Sequence, residues 1–584
     1  EKPEPCLIYE GQEIPPHPVL ADVLCAKAVN LITLDEFGEA TESLLNSAEK
    51  MRSRLSGPNT AYTCRVHYLK GIMLYARGKY FPAMDTLQHA RRQQLQLLGE
   101  KHPDYGNTLY EIATVYSRMS KLLDAEQTLE ECAKLRKELH RDKYFERRAR
   151  DEEKANKGNK KDKTELSRKE ANEKANESSL PEKTVLLHNH TPYHPKILEC
   201  RVLQAYLLMY KSNFMECKTL LEDTVVAYKE TIGPAHPTTA SASLLLGDVL
   251  REMGALEMSY ATIEKALAAR SASLHENHHL VGECLNSLAE TMRVQGKFLE
   301  SKKINEQALG IRRAMLGKYH FHTAKSLLSL GQNFHDLGLY PSADTLFEKA
   351  IQLSVRCAKT NDHRLVADSI HAKGANLIAL GRYPEAHKTL TRAKTIRMKL
   401  FGEMHSDVAN SIFAESELNF ILGNVEDAIH GFDDTLAIRK TLFGSMSREV
   451  AASLNGIGAT LVAQAKFGEA RNMLDRALAM RKRLLGTEHP DMGDSLFALA
   501  TIDFEMGRYE QATVTMERCL ETWKVALGAR HPKNARALCS LSEMYRSMGD
   551  LNAAVDSTAD SLKIRKASLG DEHPETLETR FSYA

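Results

Sequence analysis

The sequence predicts an all-α protein, a right-handed superhelical α-solenoid of about twelve helix pairs. Three observations predict this fold. A glycine-marked phrase returns every 42 residues, apolar residues between the marks recur at steps of three and four, and several phrases end in glycine, two residues and His-Pro. The three-and-four spacing indicates amphipathic helices. A fixed interval indicates stacked repeats, because only neighbouring repeats bury both faces of each helix pair.

The composition excludes several classes of protein. The chain has 584 residues and a formal net charge of +1, so no overall field favours nucleic acid or a membrane surface. No apolar run reaches the roughly 18 residues that a membrane-spanning helix needs. Ten cysteines lie scattered without a C-x-x-C pair, which predicts reduced, buried thiols in a cytosolic protein. Because the chain begins with Glu1, we expect a trimmed or partly observed product.

Each repeat has the same internal order of residue types. A small residue stands seven positions before a turn, a large apolar residue two after it, and a second small residue five after it. The small residues let two helices approach closely, and the apolar residue fills the space between them. The twelve turn positions are Asp35, Gly78, Ser120, Ser212, Gly254, Gly296, Gly338, Gly381, Gly423, Ala465, Gly507 and Gly549.

These marks divide each repeat into helix A, a hairpin turn, helix B and a loop. Glycine suits the left-handed position that ends helix B, and proline suits the first position of the next helix A. We expect an N-terminal extension at 1–17, repeats 1–3 at 18–142, a charged insertion at 143–192 and repeats 4–12 at 193–573. Residues 574–584 form a C-terminal cap or the start of a truncated further repeat.

The pattern of small residues, turn glycine and aromatic residue resembles the tetratricopeptide repeat. The 42-residue period and the phrase LG-x-x-HP resemble the kinesin light chain and nephrocystin-3 type of this repeat, over residues 18–573 without the insertion. The resemblance implies a non-enzymatic protein that binds other proteins. Repeats begin near residue 18, which leaves no room for the light chain's coiled coil, and twelve units exceed its array. The chain is therefore not expected to be a kinesin light chain proper.

The insertion is dominated by charge, with 13 Lys or Arg and 10 Asp or Glu in residues 141–180. Such a segment buries too little apolar surface to order by itself. We expect a solvated loop or a helical arm that extends helix B of repeat 3. The alternative is a contact for an acidic surface, such as a tubulin tail, through its basic residues. These are Arg147, Arg148, Lys157, Lys160, Lys161 and Lys163.

Ten of the 23 histidines form one column in the loops. Its members lie a full repeat apart, too far to share a metal ion, and we expect loop residues that pack between neighbouring repeats. The column contains His102, His194, His236, His278, His320, His363, His405, His489, His531 and His573. The clusters at 188–194 and 320–322 lack partners at zinc spacing. No nucleotide-binding or hydrolase motif occurs, so neither an enzyme nor a cofactor is predicted.

A second column holds arginine near the end of helix B. Cations there complement the helix dipole and can pair with acids of the adjacent repeat. The alternative is a spiral basic stripe for an acidic partner. Its members are Arg52, Arg136, Arg270, Arg312, Arg397, Arg439, Arg481 and Arg565.

The concave groove of the solenoid is the expected binding surface. Helix A side chains 13, 10, 6 and 3 residues before each turn should face it, and asparagine and arginine there can bond a partner's backbone or carboxylates. The candidates are Asn107, Tyr110, Arg251, Glu283, Asn286, Arg293, Gln332, His335, His371, Asn410, Glu417, Asn455, Arg536 and Arg546. Kinesin light chains hold cargo peptides through an asparagine in this helix. The matching position here holds asparagine only at Asn286 and Asn455.

Three functions follow as expectations. The first is a non-enzymatic scaffold in a large cytoskeletal assembly, with other proteins, among them tubulin or axonemal components, as partners. The resemblance to nephrocystin-3 implies a ciliary or flagellar setting for a cytoplasmic protein. The second is a soluble adaptor that binds short cargo motifs in the groove. The third is a regulatory array attached to an enzyme outside this chain.

Overall fold

The structure is a computed structural model that describes residues 8–9, 12–13, 17–33, 39–159, 194–358 and 360–583. Strands β1 (Ile8–Tyr9) and β2 (Gln12–Glu13) pair antiparallel. The helices are α1 (Pro18–Thr33), α2 (Glu39–Ser56), α3 (Ala61–Ala76), α4 (Tyr80–Leu98), α5 (Pro103–Arg118), α6 (Leu122–Asn159), α7 (Pro195–Tyr210), α8 (Phe214–Thr231), α9 (Pro237–Glu252), α10 (Leu256–Leu274), α11 (His279–Val294), α12 (Phe298–Leu316), α13 (Phe321–Asp336), α14 (Tyr340–Ala358), α15 (Arg364–Ala379), α16 (Tyr383–Phe401), α17 (Ser406–Ile421), α18 (Val425–Phe443), α19 (Arg448–Ala463), α20 (Phe467–Leu485), α21 (Pro490–Glu505), α22 (Tyr509–Leu527), α23 (Pro532–Met548), α24 (Leu551–Ser568) and α25 (Pro574–Tyr583).

Consecutive helices pair as predicted, so α1 and α2 form repeat 1 and α23 and α24 form repeat 12. Each helix packs on the helix before it and the helix after it. Helix A of one repeat also contacts helix A of the next, as α11 contacts α9 and α13, so the A helices line the inner side of the curve. The predicted all-α superhelical solenoid of helix pairs is confirmed.

The histidine column begins most A helices. In each case Nδ1 accepts the backbone N–H two residues further on, as His405 accepts from Asp407 at 3.0 Å. This is an N-cap, which satisfies one of the four free N–H groups at a helix start. Ser447 takes the same role in repeat 10, where its hydroxyl accepts the N–H of Val450.

The arginine column lies inside the wall, with its eight members only 1% to 6% exposed. Arg312 is typical: its Nη1 donates to the backbone carbonyl of His322 at 3.2 Å and to Ser326 Oγ at 2.8 Å, both on helix A of the next repeat. Arg397, Arg439 and Arg481 repeat this pair of bonds. The alternative of a basic stripe for a partner is therefore wrong. Apart from Arg52, which bonds Asp22 of its own repeat, each member joins its repeat to the next helix A, mainly through carbonyls and hydroxyls.

Several histidines of the column also join successive turns of the superhelix. His405 Nε2 lies 2.9 Å from the carbonyl oxygen of Arg118, and His489 Nε2 lies 3.0 Å from that of Glu252. His363 and His531 bond the backbone of Ala76 and Val294 in the same way. These contacts join repeats 8, 9, 11 and 12 to repeats 2, 3, 5 and 6. The expected packing between neighbouring repeats is thus corrected, because the partners lie six repeats apart.

Apolar residues complete this contact, which we call the seam. The ring of Tyr80 in repeat 2 stacks on Phe401 in repeat 8 with centroids 5.3 Å apart. Phe298 of repeat 6 forms a buried cluster with Leu569 of repeat 12. Arg448 adds an ion pair to Glu252 at 2.7 Å. The seam therefore closes the superhelix into a tube in which about six repeats make one turn.

At both edges of the tube, residues at the positions that form the seam elsewhere are exposed. The hairpin turns at Ser120 and Ser212 are buried, whereas the turn residues of repeats 8–12 are all exposed. On the opposite edge, His194 and His236 are exposed, whereas His405 and His489 are buried. Helix α6 runs on to Asn159, well past the point where other B helices end, and so leaves the tube at this second edge.

Candidate functional site

The candidate site is the inner wall, the surface that the A helices present to the axis of the tube. Lys325 on this wall illustrates its electrostatic environment. Its side chain is exposed to solvent, yet burial by the surrounding protein lowers the pKa of the ammonium group, and Glu283 opposes that effect. Charges on repeats 3 and 5, Arg118 and Asp248, also act on it. Lys325 is therefore open to water and within the electrostatic range of charges on other repeats.

Most charges of the wall are paired along it. Arg251 donates to Asp248 at 2.7 Å, and Arg293 bonds both Glu290 at 2.7 Å and Asp336 at 2.8 Å. The bond from Arg293 to Asp336 connects repeats 6 and 7, and together these pairs leave little free charge there. Pairing of this kind holds the side chains in place and reduces what they can offer a ligand.

A cavity of about 470 Å³ opens on the wall between α13 and α15. Gln332 and His371 line it, together with His335, whose Nδ1 lies 3.0 Å from Asn376 Oδ1. Burial lowers the pKa of His371 to about 4, so its imidazole is neutral near pH 7. Its buried Nδ1 has no hydrogen-bond partner among the described residues. The cavity thus offers neutral polar groups beside paired charged residues such as Arg293 and Asp336.

The predicted asparagines serve the wall itself. Asn286 is 8% exposed and donates to Ser326 Oγ at 3.1 Å. Asn107 and Asn410 accept hydrogen bonds from Arg136 and Arg439 of the arginine column. Arg481 contacts Asn455 in the same way once the amide is oriented to suit it. Glu283 is likewise bonded by Arg270 at 2.9 Å.

Other predicted residues keep a surface toward the lumen. Arg536 lies 4.5 Å from the centre of the Phe497 ring, and Arg546 is exposed. Tyr110 is half-buried under Arg136, at 4.8 Å. Glu417 is exposed.

Sequence reasoning missed an aromatic lining. Ten residues before the hairpin turn, repeats 2, 3, 9 and 11 carry Tyr68, Tyr110, Phe413 and Phe497, all half-buried. The signal was present, because these residues share one position of the repeat. Counting them as departures from an asparagine pattern hid what they have in common. Aromatic rings at this position give the wall faces that can hold apolar or cationic groups.

The insertion is described only in part. Arg147, Arg148 and Lys157 lie on the extension of α6, whereas Lys160, Lys161 and Lys163 lie outside the described residues. Within the described ranges, no three His, Cys, Asp or Glu residues are placed to bind a metal ion. The nine cysteines found there are free thiols. No helix in that part of the chain is long and apolar enough to cross a membrane.

Comparison with known proteins identifies the repeat. A family model described as the tetratricopeptide repeat matches residues 62–138, 240–314, 283–354, 409–483, 449–514 and 496–567, together more than half of the chain. The chain is 22% identical to the nearly identical TPR-like repeats of a kinesin light chain described from Podosopora anserina, which align over 35% of this chain and 97% of that one, with a TM-score of 0.29. It is 17% identical to BtubC (BKLC) from P. vanneervenii, over 47% and 92%, with a TM-score of 0.30. No curated protein matches the chain.

Proposed function

Since the chain belongs to the tetratricopeptide-repeat family, whose members bind other proteins, we propose that it is a non-enzymatic scaffold that holds partner proteins along its inner wall and edges. One observation carries this proposal. The seam turns an open groove into a tube, so the wall is reached along the axis or by opening the seam. An extended polypeptide segment fits such a lumen better than a folded domain does.

The seam also favours a lasting assembly over brief cargo binding. A partner segment enclosed by two superhelical turns leaves only by threading out or by breaking the seam, so its dissociation is slow. Slow dissociation is what separates a structural complex from a transient one. We propose that the protein is part of a cytoskeletal assembly, and more specifically of a cilium or axoneme.

Detergent extraction of cells that carry a tagged copy tests this function. The protein is followed between soluble and cytoskeletal fractions through a salt series. Retention at high salt is expected, because an enclosed segment makes extensive contacts that salt does not screen. Complete release of the protein by detergent alone would contradict the proposed scaffold function.

The second candidate is an adaptor that binds short peptides, and the cavity between α13 and α15 favours it. Gln332→Ala and His371→Ala would then lower affinity for the bound peptide by about thirtyfold or more, as a loss of about 2 kcal/mol at a hot spot implies. The matched control is Glu469→Gln, on the exposed side of α20. Equal binding by all three variants would exclude the adaptor.

A further inference from the structure

Two carboxylates of the inner wall have no counterion in the part of the chain that the structure describes. Glu111 on α5 and Glu417 on α17 make no hydrogen bond or ion pair within the described residues, whereas Asp248, Asp336 and Glu283 are all held by arginines. A carboxylate in a desolvated place is normally paired, because an isolated charge there is unfavourable. An acid left without a partner inside a binding lumen is a candidate contact for a ligand.

Aromatic rings frame Glu417. Phe413 lies four residues before it and Phe420 three after it, so all three share one face of α17. The nearest cation is Arg439 of α18, which already bonds Asn410, Ser453 and the Glu449 carbonyl. That guanidinium also lies 4.8 Å from the centre of the Phe413 ring. It is therefore fixed in the wall and leaves the lumen side of Glu417 open.

Glu111 has a similar setting in repeat 3. Tyr110 precedes Glu111 on α5, and α5 contacts α3, which carries Tyr68. Burial, and after it the Glu111 carboxylate, raises the pKa of both Tyr68 and Tyr110. The charged groups within range of Glu111 are Arg136 of α6 and Glu199 and Lys196 of α7. Arg136 is bound to the Lys196 carbonyl at 2.7 Å, and Lys196 is paired with Glu199 at 2.9 Å.

The surrounding protein acts on both acids, although Glu417 is exposed and Glu111 is half-buried. Burial raises the pKa of Glu417 to about 7, against a smaller lowering by Arg439. Burial likewise raises that of Glu111 to about 7, with Arg136 opposing it. A cation brought to either group would favour the ionised form and make a charge-assisted hydrogen bond with it.

We propose that Glu417 with Phe413 and Phe420, and Glu111 with Tyr68 and Tyr110, are two subsites that each bind a lysine or arginine side chain of a partner polypeptide. The carboxylate forms the ion pair, and the ring faces attract the cation and cover its aliphatic stem. This proposal rests on the proposed function, since it needs a polypeptide in the lumen. It defines that partner as one with basic side chains.

The seam sets the distance between the subsites. It joins the end of α5 to the start of α17 through Arg118 and His405. Along these two helices, Glu111 and Glu417 are about 30 Å apart at 1.5 Å per residue. An extended chain covers that distance in about nine residues. One segment with two basic side chains at this separation would occupy both subsites.

Fluorescence anisotropy of the full chain with two labelled 12-residue peptides tests the proposal. One peptide alternates lysine and serine, and the other alternates glutamine and serine. The lysine peptide should bind more tightly, and Glu417→Gln or Glu111→Gln should each weaken it on the order of tenfold, the loss of one charged hydrogen bond. Glu469→Gln, which removes an exposed carboxylate outside the lumen, should bind as the unaltered chain does.

The pH dependence gives a second readout. Affinity for the lysine peptide should rise between pH 6 and pH 8, because both carboxyl groups lose their protons in that interval. The double variant should show a flatter profile. Binding by the double variant equal to that of Glu469→Gln, or equal binding of the two peptides, would overturn the subsites. If the protein stays in the cytoskeletal fraction in that case, the scaffold stands and only the subsites fail.

Discussion

At the residue scale, the members of each column make the same kind of hydrogen bond in many repeats. The histidine column caps helix A in most repeats and closes the seam in several of the later ones, so identical residues differ in burial according to their place in the superhelix. From Arg136 onward, each member of the arginine column donates to a backbone carbonyl of the next helix A. A residue type that recurs with the period of the fold is thus evidence of structure before it is evidence of chemistry.

The arginine column yields the first prediction. Arg312→Ala should lower the free energy of unfolding of its region by about 2–3 kcal/mol, because the His322 carbonyl and the Ser326 hydroxyl would lose a charged donor inside the wall. Hydrogen exchange of α12 and α13 measures this loss locally. Arg313→Ala is the matched control, since Arg313 is exposed. Equal protection in the two variants would show that the column does not join the repeats.

At the element scale, the contact between helices A and B depends on the small residue seven positions before the turn. A Cβ added to Gly331 would lie 2.7 Å from Phe347 Cε1, too close for any real contact. Repeats 3 and 4 instead place alanine there, as Ala113 and Ala205, opposite the smaller Leu129 and Leu221. Leucine also faces glycine in other repeats, as Leu87 faces Gly71 and Leu390 faces Gly374, so leucine is found opposite either small residue.

The alanine–leucine pairs of repeats 3 and 4 predict a rescue. Gly331→Ala should destabilise repeat 7 by about 1–3 kcal/mol through overpacking, and Phe347→Leu in the same chain should restore most of it by recreating the pair of repeats 3 and 4. Gly310→Ala is the control. Gly310 lies in α12 with nothing within 4 Å of the added Cβ, so this change should stabilise by about 0.5–1 kcal/mol. Thermal unfolding of the four chains decides, and an additive loss in the double variant would contradict the pairing.

At the scale of the whole molecule, the seam determines whether the solenoid is a closed tube or an open superhelix. His489→Ala should open it at repeats 5 and 11, because the Glu252 carbonyl loses its donor. The measurement is the maximum dimension by small-angle X-ray scattering. His236→Ala removes the same N-cap, made to Thr238 at 3.2 Å, from the free edge of the tube and should leave the dimensions unchanged. Equal expansion in both variants would assign the effect to capping alone.

Acid should open the seam of the unaltered chain. Burial lowers the pKa of His363 to about 4 and that of His531 to about 3, so these side chains are neutral in the closed tube. Released histidines titrate near 6.5. The contribution of each is therefore complete above pH 6.5 and falls by about 1.4 kcal/mol for each pH unit below it until the lower value is reached. Scattering curves that coincide at pH 7.5 and pH 5 would contradict this.

The period of the sequence by itself determined the helices, their pairing, the hairpin turns and the inward positions of helix A, because these depend on contacts within one or two repeats. It did not determine which inward side chains are free. Asn286 and Glu417 both stand at inward positions, yet one is bonded to Ser326 and the other has no counterion among the described residues.

The closed tube was decided only by the tertiary structure. His405 meets Arg118 across 287 positions, and His489 meets Glu252 across 237, the difference being the insertion between repeats 3 and 4. No local pattern specifies such distances. They follow from the small rotation at each junction summed over six repeats, which brings the turns into contact and encloses the inner wall.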